Sequence, residues 1–186
     1  WYGANRPKIE IDYDALYRLW QRTNCLSFFN AIFDTKTTIW EALSLSVAQV
    51  NAFPATSGAT LSVVEDIPRE IATHCFNESN IVKDSLELSY KFNDANTPDG
   101  VEVEYRKSTD FSAEYELYPP TSLFPEKIVL FGCTSEIQAG EYAQRMWNQR
   151  LLRREFIKFS TELEGHLPLV GNLITVDHSL LQHPTC

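Results

Sequence analysis

The side chains that could ligate a metal or supply a nucleophile and its base are few and scattered. Four histidines (His74, His166, His178, His183) and four cysteines (Cys25, Cys75, Cys133, Cys186) share no CxxC or repeating spacing. His178, His183 and Cys186 have a loose metal-like spacing but lack a fourth ligand. The carboxylate pairs Asp12/Asp14, Glu102/Glu104 and Glu114/Glu116 are candidates for a glycosidase-like acid–base couple. On a strand, i and i+2 share a face, so the glutamate pairs read as charged, solvated outer faces. Gly132-Cys133-Thr134-Ser135 places a thiol just before a helix, where the free N–H groups would favour a thiolate. An apolar strand precedes it and no histidine is near in sequence, so Cys133 reads as a buried structural residue. No glycine-rich phosphate loop, GxSxG or HExxH motif is present. The residues therefore predict no catalytic, cofactor-binding or metal site, and a chain that is not an enzyme.

The chain of 186 residues has a formal net charge of −9. Residues 1–98 carry 8 basic and 12 acidic side chains and residues 99–186 carry 8 and 13, so the acidity is spread evenly. A negative field repels a phosphate backbone, which argues against nucleic acid as a partner. Arg150, Arg153, Arg154 and Lys158 form one basic cluster, at the predicted end of a helix where cations complement the dipole. No apolar run approaches the ~20 residues of a membrane-spanning helix. With 44% hydrophobic residues the chain has the material for a core without disulfide staples, and the cysteines are expected to be reduced thiols. The start at Trp1 without Met and the abrupt end at Cys186 suggest a piece of a longer protein.

Periodicity supplies the elements. Asp12 can cap a helix whose Tyr13, Leu16, Tyr17 and Trp20 share one face. Leu26–Phe33 reads as a short buried strand. Thr38 and Glu41 form a capping box for a second helix, with Ile39, Leu43, Val47 and Val50 as its buried stripe and Phe53-Pro54 as its stop. Ser57-Gly58 is a hairpin turn before a strand at Leu61–Glu65, which Asp66-Ile67-Pro68 breaks. Asn77–Asn80 is a polar turn, and Leu86, Leu88, Tyr90 and Phe92 alternate as in a half-buried strand. Pro98-Asp99-Gly100 is a turn and a candidate boundary. Val101/Val103/Tyr105 and Ala113/Tyr115/Leu117 mark two strands expected to pair, and Lys127–Phe131 a third. Ser135 and Gln138 form a capping box for a long helix to about Arg150, with Ala139, Ala143, Met146 and Trp147 turned to the core. Strands at Phe156–Leu163 and Asn172–His178 follow, joined by a turn at Pro168–Gly171. This order predicts an α+β fold of two sub-domains, 1–95 and 96–186, the second a mainly antiparallel sheet or small barrel carrying helix 135–150.

Several strings resemble the hub region of tailed-bacteriophage tail-tip proteins, a family that includes the host-specificity tip protein of lambda-like phages. They are Phe33-Asp34-Thr35-Lys36-Thr37-Thr38-Ile39-Trp40-Glu41-Ala42-Leu43, Asn80-Ile81-Val82-Lys83-Asp84-Ser85 and Thr97-Pro98-Asp99-Gly100-Val101. In the second half, Phe131-Gly132-Cys133-Thr134-Ser135 followed by Gln138-Ala139 resembles the family's strand-to-helix junction. Phe159–Gly165 followed by Leu169–Val176 resembles its signature hairpin, with Val170 and Asn172 where proline and aspartate are commoner.

The resemblance runs from about Ile9 to His178. It implies a baseplate-hub-like fold, related in architecture to the hub of contractile phages and to type VI secretion spikes. It further implies a virion structural protein at the tail tip, assembled in the bacterial host cytoplasm. The full-length protein would be a homotrimer touching other tail-tip and tail-tube proteins, with no cofactor, and the piece alone a monomer or weak oligomer. The competing readings are a receptor- or carbohydrate-binding module, in which Trp1, Tyr2 or Trp40 would stack on sugars, and a tail-associated wall hydrolase. Trp40 lies near the helical stripe and reads as core.

Overall fold

The structure, a computed structural model, describes residues 7–23, 27–93 and 97–181. Its elements in chain order are α1 (Tyr13–Thr23), α2 (Ile39–Ala48), β1 (Ala52–Ser57), β2 (Thr60–Glu65), β3 (His74–Asn77), β4 (Glu87–Tyr90), β5 (Gly100–Arg106), β6 (Ala113–Tyr118), β7 (Pro125–Val129), α3 (Glu136–Leu152), β8 (Glu155–Lys158) and β9 (Ile174–Asp177). Two short 3-10 helices, Lys8–Glu10 and Leu163–His166, complete it. The architecture is α+β, as expected, and the described strands close no barrel.

The chain divides into two compact units, but not at residue 95. Unit 1 is Trp1–Glu65 with Asn93–Arg153, and unit 2 is Asp66–Phe92 with Arg154–Cys186. The expected halves 1–95 and 96–186 are thus replaced by interleaved units. The reason is strand pairing: β4 finds its partner in β8 and β3 in β9, across the length of unit 1's second segment. Asn93–Gly100 is one of the crossings between units, which is why it read as a boundary.

In unit 1 the sheet order is β6-β5-β7, with β5 antiparallel to β6 and parallel to β7. The expected β5–β6 pairing holds, from Val101↔Tyr118 to Arg106↔Ala113. Val101 and Val103 have no solvent exposure, and neither do Ala139 and Ala143 of α3, which covers them. Alanine on the helix lets its backbone approach the branched valines closely, and Tyr118, Ile128, Tyr142, Met146 and Trp147 close the rim. Gly100 is required by a similar approach: a Cβ there would sit 2.5 Å from the side chain of Ser122. Asp99 reaches beyond its own turn. Its carboxylate accepts from Ser122 Oγ (2.5 Å) and from the N–H groups of Leu123 (2.8 Å) and Phe124 (2.7 Å), pinning the loop before β7.

A second cluster in unit 1 joins Ala15 and Leu19 of α1 to Val47, Ala52 and Val63. Asp12 caps α1 as expected, accepting from Ala15 N at 3.0 Å and from Ser62 Oγ at 2.8 Å. Thr38 caps α2 through Glu41 N, 3.2 Å. The buried faces differ from the expected ones. On α1 it is Ala15 and Leu19 that are buried, while Tyr13, Leu16, Tyr17 and Trp20 face outward. On α2 Val47 is buried and Ile39 is exposed. The β1–β2 hairpin turns at Gly58 (φ +61°) as expected, but Phe53-Pro54 lies inside β1. Proline is tolerated there because, among the described strands, β1 pairs with β2 alone.

Residues 27–33 form no strand, with Leu26 outside the described residues. Phe28 and Ile32 are exposed. This segment is held by isolated bonds and a ring contact rather than by a ladder. Asn30 N donates to Gly132 O (2.8 Å), Asn30 Nδ2 to Thr134 Oγ1 (2.8 Å), and Phe29 packs over Gly132, where a Cβ would lie 2.6 Å from its ring.

In unit 2, β3 and β9 pair in parallel and β4 and β8 antiparallel, around Phe76, Ile81 and Val176. The rings of Phe76 and Phe159 lie 5.1 Å apart. The strand expected over Phe156–Leu163 ends at Lys158, and Leu163 begins a 3-10 turn instead. Phe159–Gly165 and Leu169–Val176 are therefore not two arms of a hairpin, although the turn at Gly171 (φ +87°) forms as expected, closed by Asn172 N to Leu169 O at 3.0 Å. Pairing among the described strands is mainly antiparallel, as expected, in β1–β2, β4–β8 and β5–β6, while β7 and β9 run parallel to their partners.

The tight α3–β5 contact makes two predictions for denaturant melts. Ala143→Leu should lose about 1–3 kcal/mol by overpacking. Trp147→Ala, at the half-buried rim, should lose less than the roughly 3–5 kcal/mol of a fully buried indole.

Candidate functional site

The junction before α3 is the most elaborately built part of unit 1. Ser135 Oγ accepts from Gln138 N at 3.4 Å, so the expected cap forms. The Gln138 side chain does not return the bond as a capping box would. Gln138 is buried and grips the backbone of Phe28 on both sides, Oε1 accepting from Phe28 N (3.3 Å) and Nε2 donating to Phe28 O (3.4 Å). Nε2 also donates to Oε1 of buried Gln49 at 2.5 Å, and Gln49 Nε2 donates to Phe131 O at 2.7 Å. A pair of buried amides thus satisfies the backbone of two irregular segments. The sequence hid this role, since a glutamine three residues after serine is equally the mark of a capping box. Arg145 adds a cap from α3, donating to the carbonyls of Ala48 (3.5 Å) and Gln49 (3.4 Å) at the end of α2.

Cys133 is fully buried beside this junction, and its thiol rests on Ser135 O at 3.4 Å. Burial pushes the thiol pKa up, which is the opposite of nucleophile activation. The reading of Cys133 as structural agrees with this geometry. Cys75 is a free, exposed thiol, and Cys25 and Cys186 lie outside the described residues.

The carboxylate pairs are held apart in function by their partners. Asp12 is a cap, and the bonds from Ala15 N–H and Ser62 hold its carboxyl below the usual range. Glu102 and Glu104 share a face, where Glu102 meets Lys127 (3.0 Å) and Glu104 meets Arg106 (3.5 Å). Glu116 corrects the expectation of a solvated face, while Glu114 stays exposed enough to pair with Lys107 at 3.3 Å. Register places Glu114 and Glu116 opposite Tyr105 and Val103, on the side that α3 covers. Burial pushes the Glu116 carboxyl up, and Glu136 and Glu114 add to this. Burial likewise raises the Tyr105 phenol, reinforced by the same carboxylates. The basic cluster is dispersed: Arg150 pairs with Glu126, and Lys158 with Glu87 at 3.4 Å.

The histidines do not converge. His74 packs edge-on against Phe76 (4.6 Å), His178 Nδ1 accepts from Leu180 N (3.1 Å), and His166 ends a 3-10 turn. His183 and Cys186 lie outside the described residues, and no three metal-ligating side chains gather among the described ones.

What the described surface does offer is uncovered apolar area. One groove of about 670 Å³ is bounded by Phe29, Ile32, Phe111, Val129 and Phe131. A second, of about 550 Å³, lies between α1, α2 and the β1–β2 hairpin, bounded by Leu16, Ile39, Trp40, Leu43 and Leu61. Trp40 is therefore not core but a half-exposed groove wall. Trp1 and Tyr2 lie outside the described residues. Exposed apolar patches of this kind mark surfaces that other molecules cover.

No known protein family matches the chain by its sequence profile. The fold is similar to that of the tail protein from Neisseria meningitidis MC58, with a TM-score of 0.54 and 14% sequence identity. The match covers 92% of this chain and 58% of the other, so this chain spans little more than half the length of that tail protein.

Two variants test the site's geometry. Gln138→Ala strands the Phe28 N–H and the Gln49 amide, and should cost about 1–3 kcal/mol in a denaturant melt. Glu116→Gln should act with a pH signature. The folded pKa of Glu116 is raised, so the folded state binds the proton more tightly and the wild type loses stability as pH rises past 4.5, its unperturbed value. The glutamine variant should thus melt higher than wild type at pH 7 and converge with it below about pH 4.5.

Proposed function

We propose that this chain is a non-catalytic structural component of a phage or prophage tail, lying in the tail-tip or baseplate hub. There it would close the tail tube and link it to the parts that recognise the host. The observation that carries this reading is the similarity of fold to a tail protein over 92% of the chain. The exposed apolar grooves support it, since a subunit of an assembly leaves such surfaces for its neighbours. The buried state of Cys133 and the dispersed carboxylates favour this reading over a wall hydrolase. On it, the longer parent protein is a homotrimer that contacts tail-tube and other tail-tip proteins in the host cytoplasm before entering the virion.

The half-exposed Trp40 and the stacked, exposed Tyr17 and Trp20 (5.6 Å between rings) favour a second reading, a carbohydrate-binding face. Immuno-gold labelling of virions and light scattering of the parent protein test the first. A label at the tail tip and a trimeric mass are expected. A label on the capsid, or a stable monomeric parent, would overturn the hub assignment. Binding to host-surface glycans that is lost in Trp40→Ala would favour the second reading.

A further inference from the structure

Helix α3 packs on β5 through fully buried Ala139 and Ala143, but beside Glu116 of β6 it carries Gly140. A helix interior is less stable with glycine than with alanine, so a glycine there needs a reason. Packing within the chain supplies none. A Cβ at Gly140 would meet only Glu116 Oε2, at an ordinary contact distance of 3.9 Å. At Gly100 and Gly132, by contrast, it would lie 2.5 and 2.6 Å from a neighbour.

The space beside Gly140 is lined with acceptors. Glu116 is half-buried, and Glu136 stands in the first turn of α3, one helical turn before Gly140 and on the same face. Neither carboxylate is in an ion pair or a side-chain hydrogen bond with a described residue. Tyr105 lies opposite Glu114 in the β5–β6 register and belongs to the core beneath α3. It is only 7% exposed, yet its hydroxyl makes no hydrogen bond with a described residue. The charges on Glu136, Glu116 and Glu114 all raise the phenol pKa, in addition to burial, so the hydroxyl is turned towards these carboxylates. Glu114 is already matched, by Lys107 at 3.3 Å.

A buried hydroxyl and two carboxylates without donors complement a cation that carries several N–H groups. No three metal-ligating side chains gather among the described residues, so a bare metal ion does not fit. An ammonium group is a compact, strongly hydrated point charge. A guanidinium is planar, more weakly hydrated, and spreads its donors in a fork that reaches several acceptors at once. The start of α3 opposes a cation with roughly half a positive charge, which Glu116 and Glu136 together outweigh.

We propose that the gap at Gly140 is a slot for an arginine side chain of a neighbouring protein subunit, held by Glu116, Glu136 and the Tyr105 hydroxyl. Glycine keeps the slot open, and Glu116 stays partly buried without a partner until the guanidinium enters. This rests on the reading of the chain as a subunit of an assembly, and it gives that assembly one polar anchor.

The test titrates N-acetyl-arginine amide into the 186-residue chain, with the lysine and citrulline analogues as controls. The readouts are the amide NMR shifts of Tyr105 and Gly140 and the carboxyl shift of Glu116. The arginine probe should give saturable shifts with a Kd on the order of millimolar, the lysine probe weaker ones and the neutral citrulline probe none. Glu116→Gln should weaken the arginine probe at least about fivefold. Gly140→Val should abolish its binding, with circular dichroism confirming the fold. Gly140→Ala should weaken binding while raising the melting temperature, since alanine favours the helix. A fall in melting temperature for Gly140→Ala would show a glycine required by packing and overturn the proposal. No saturable shift up to tens of millimolar overturns it, as do equal shifts with the lysine or citrulline probe. Unchanged binding in Glu116→Gln and Gly140→Val overturns it as well. The tail reading fails separately, by absence of the label from virions, whatever the probes do.

Discussion

The approach of α3 to β5 is the constraint on which the rest of unit 1 depends. Val101 and Val103 can lose all contact with water only because Ala139 and Ala143 bring the helix backbone close above them. That closeness fixes where α3 begins, and so where Gln138 points. From there the amide reaches Phe28 and Gln49, and the irregular segments at 27–33 and 131–134 gain the backbone partners that a sheet would otherwise provide. An unpaired polar group in that position would be expensive, which makes the amide pair a determinant of one arrangement rather than a decoration of it. Cys133 and Gly132 follow from the same packing, one filling the space beneath the junction and the other leaving room for the Phe29 ring.

The described surface carries large uncovered apolar areas, while many of its ionisable groups are engaged in caps and ion pairs. Asp12 is a cap, Glu102, Glu104, Lys158 and Arg150 are in ion pairs, and Glu116 is a partly buried carboxylate beside a helix start. Asp12 and Asp99 fix loops and helix ends, and Glu102 and Glu104 are matched by Lys127 and Arg106 across or along the sheet. Apolar features are among those left without a structural explanation: the outer face of α1, the wall at Trp40, and Phe111 at the tip of the β5–β6 hairpin. Several large aromatics thus lie on the exterior rather than in the core.

Helix starts, one strand pair and two turns were legible in the sequence. Asp12, Thr38 and Ser135 cap their helices because a short oxygen-bearing side chain before an apolar-periodic run has one low-energy use, satisfying the first free N–H groups. The strands at Val101–Tyr105 and Ala113–Leu117 pair as their strict alternation requires, and Gly58 and Gly171 turn the chain where a positive φ is needed. The burial of Cys133 was also readable, from the apolar strand before it.

Tertiary structure decided what lies across the chain. Periodicity shows that α1 has an apolar arc but not which part of it the fold covers, and there the smaller Ala15 and Leu19 pack while the larger aromatics stay outside. Alternation puts Glu114 and Glu116 on one face, but only their register against Tyr105 and Val103 turns that face towards α3. The interleaved units, the parallel β3–β9 pairing and the Gln49–Gln138 bridge join residues about 80 to 100 positions apart. Contacts at such separations leave no local pattern, because each partner's neighbours in sequence obey their own helix or strand period and not the period of the element they meet. The sequence by itself determined the three helices and their caps, the pairing of β5 with β6 and the turns at Gly58 and Gly171. Which faces were left open, and so where this protein could meet its neighbours, was decided by packing alone.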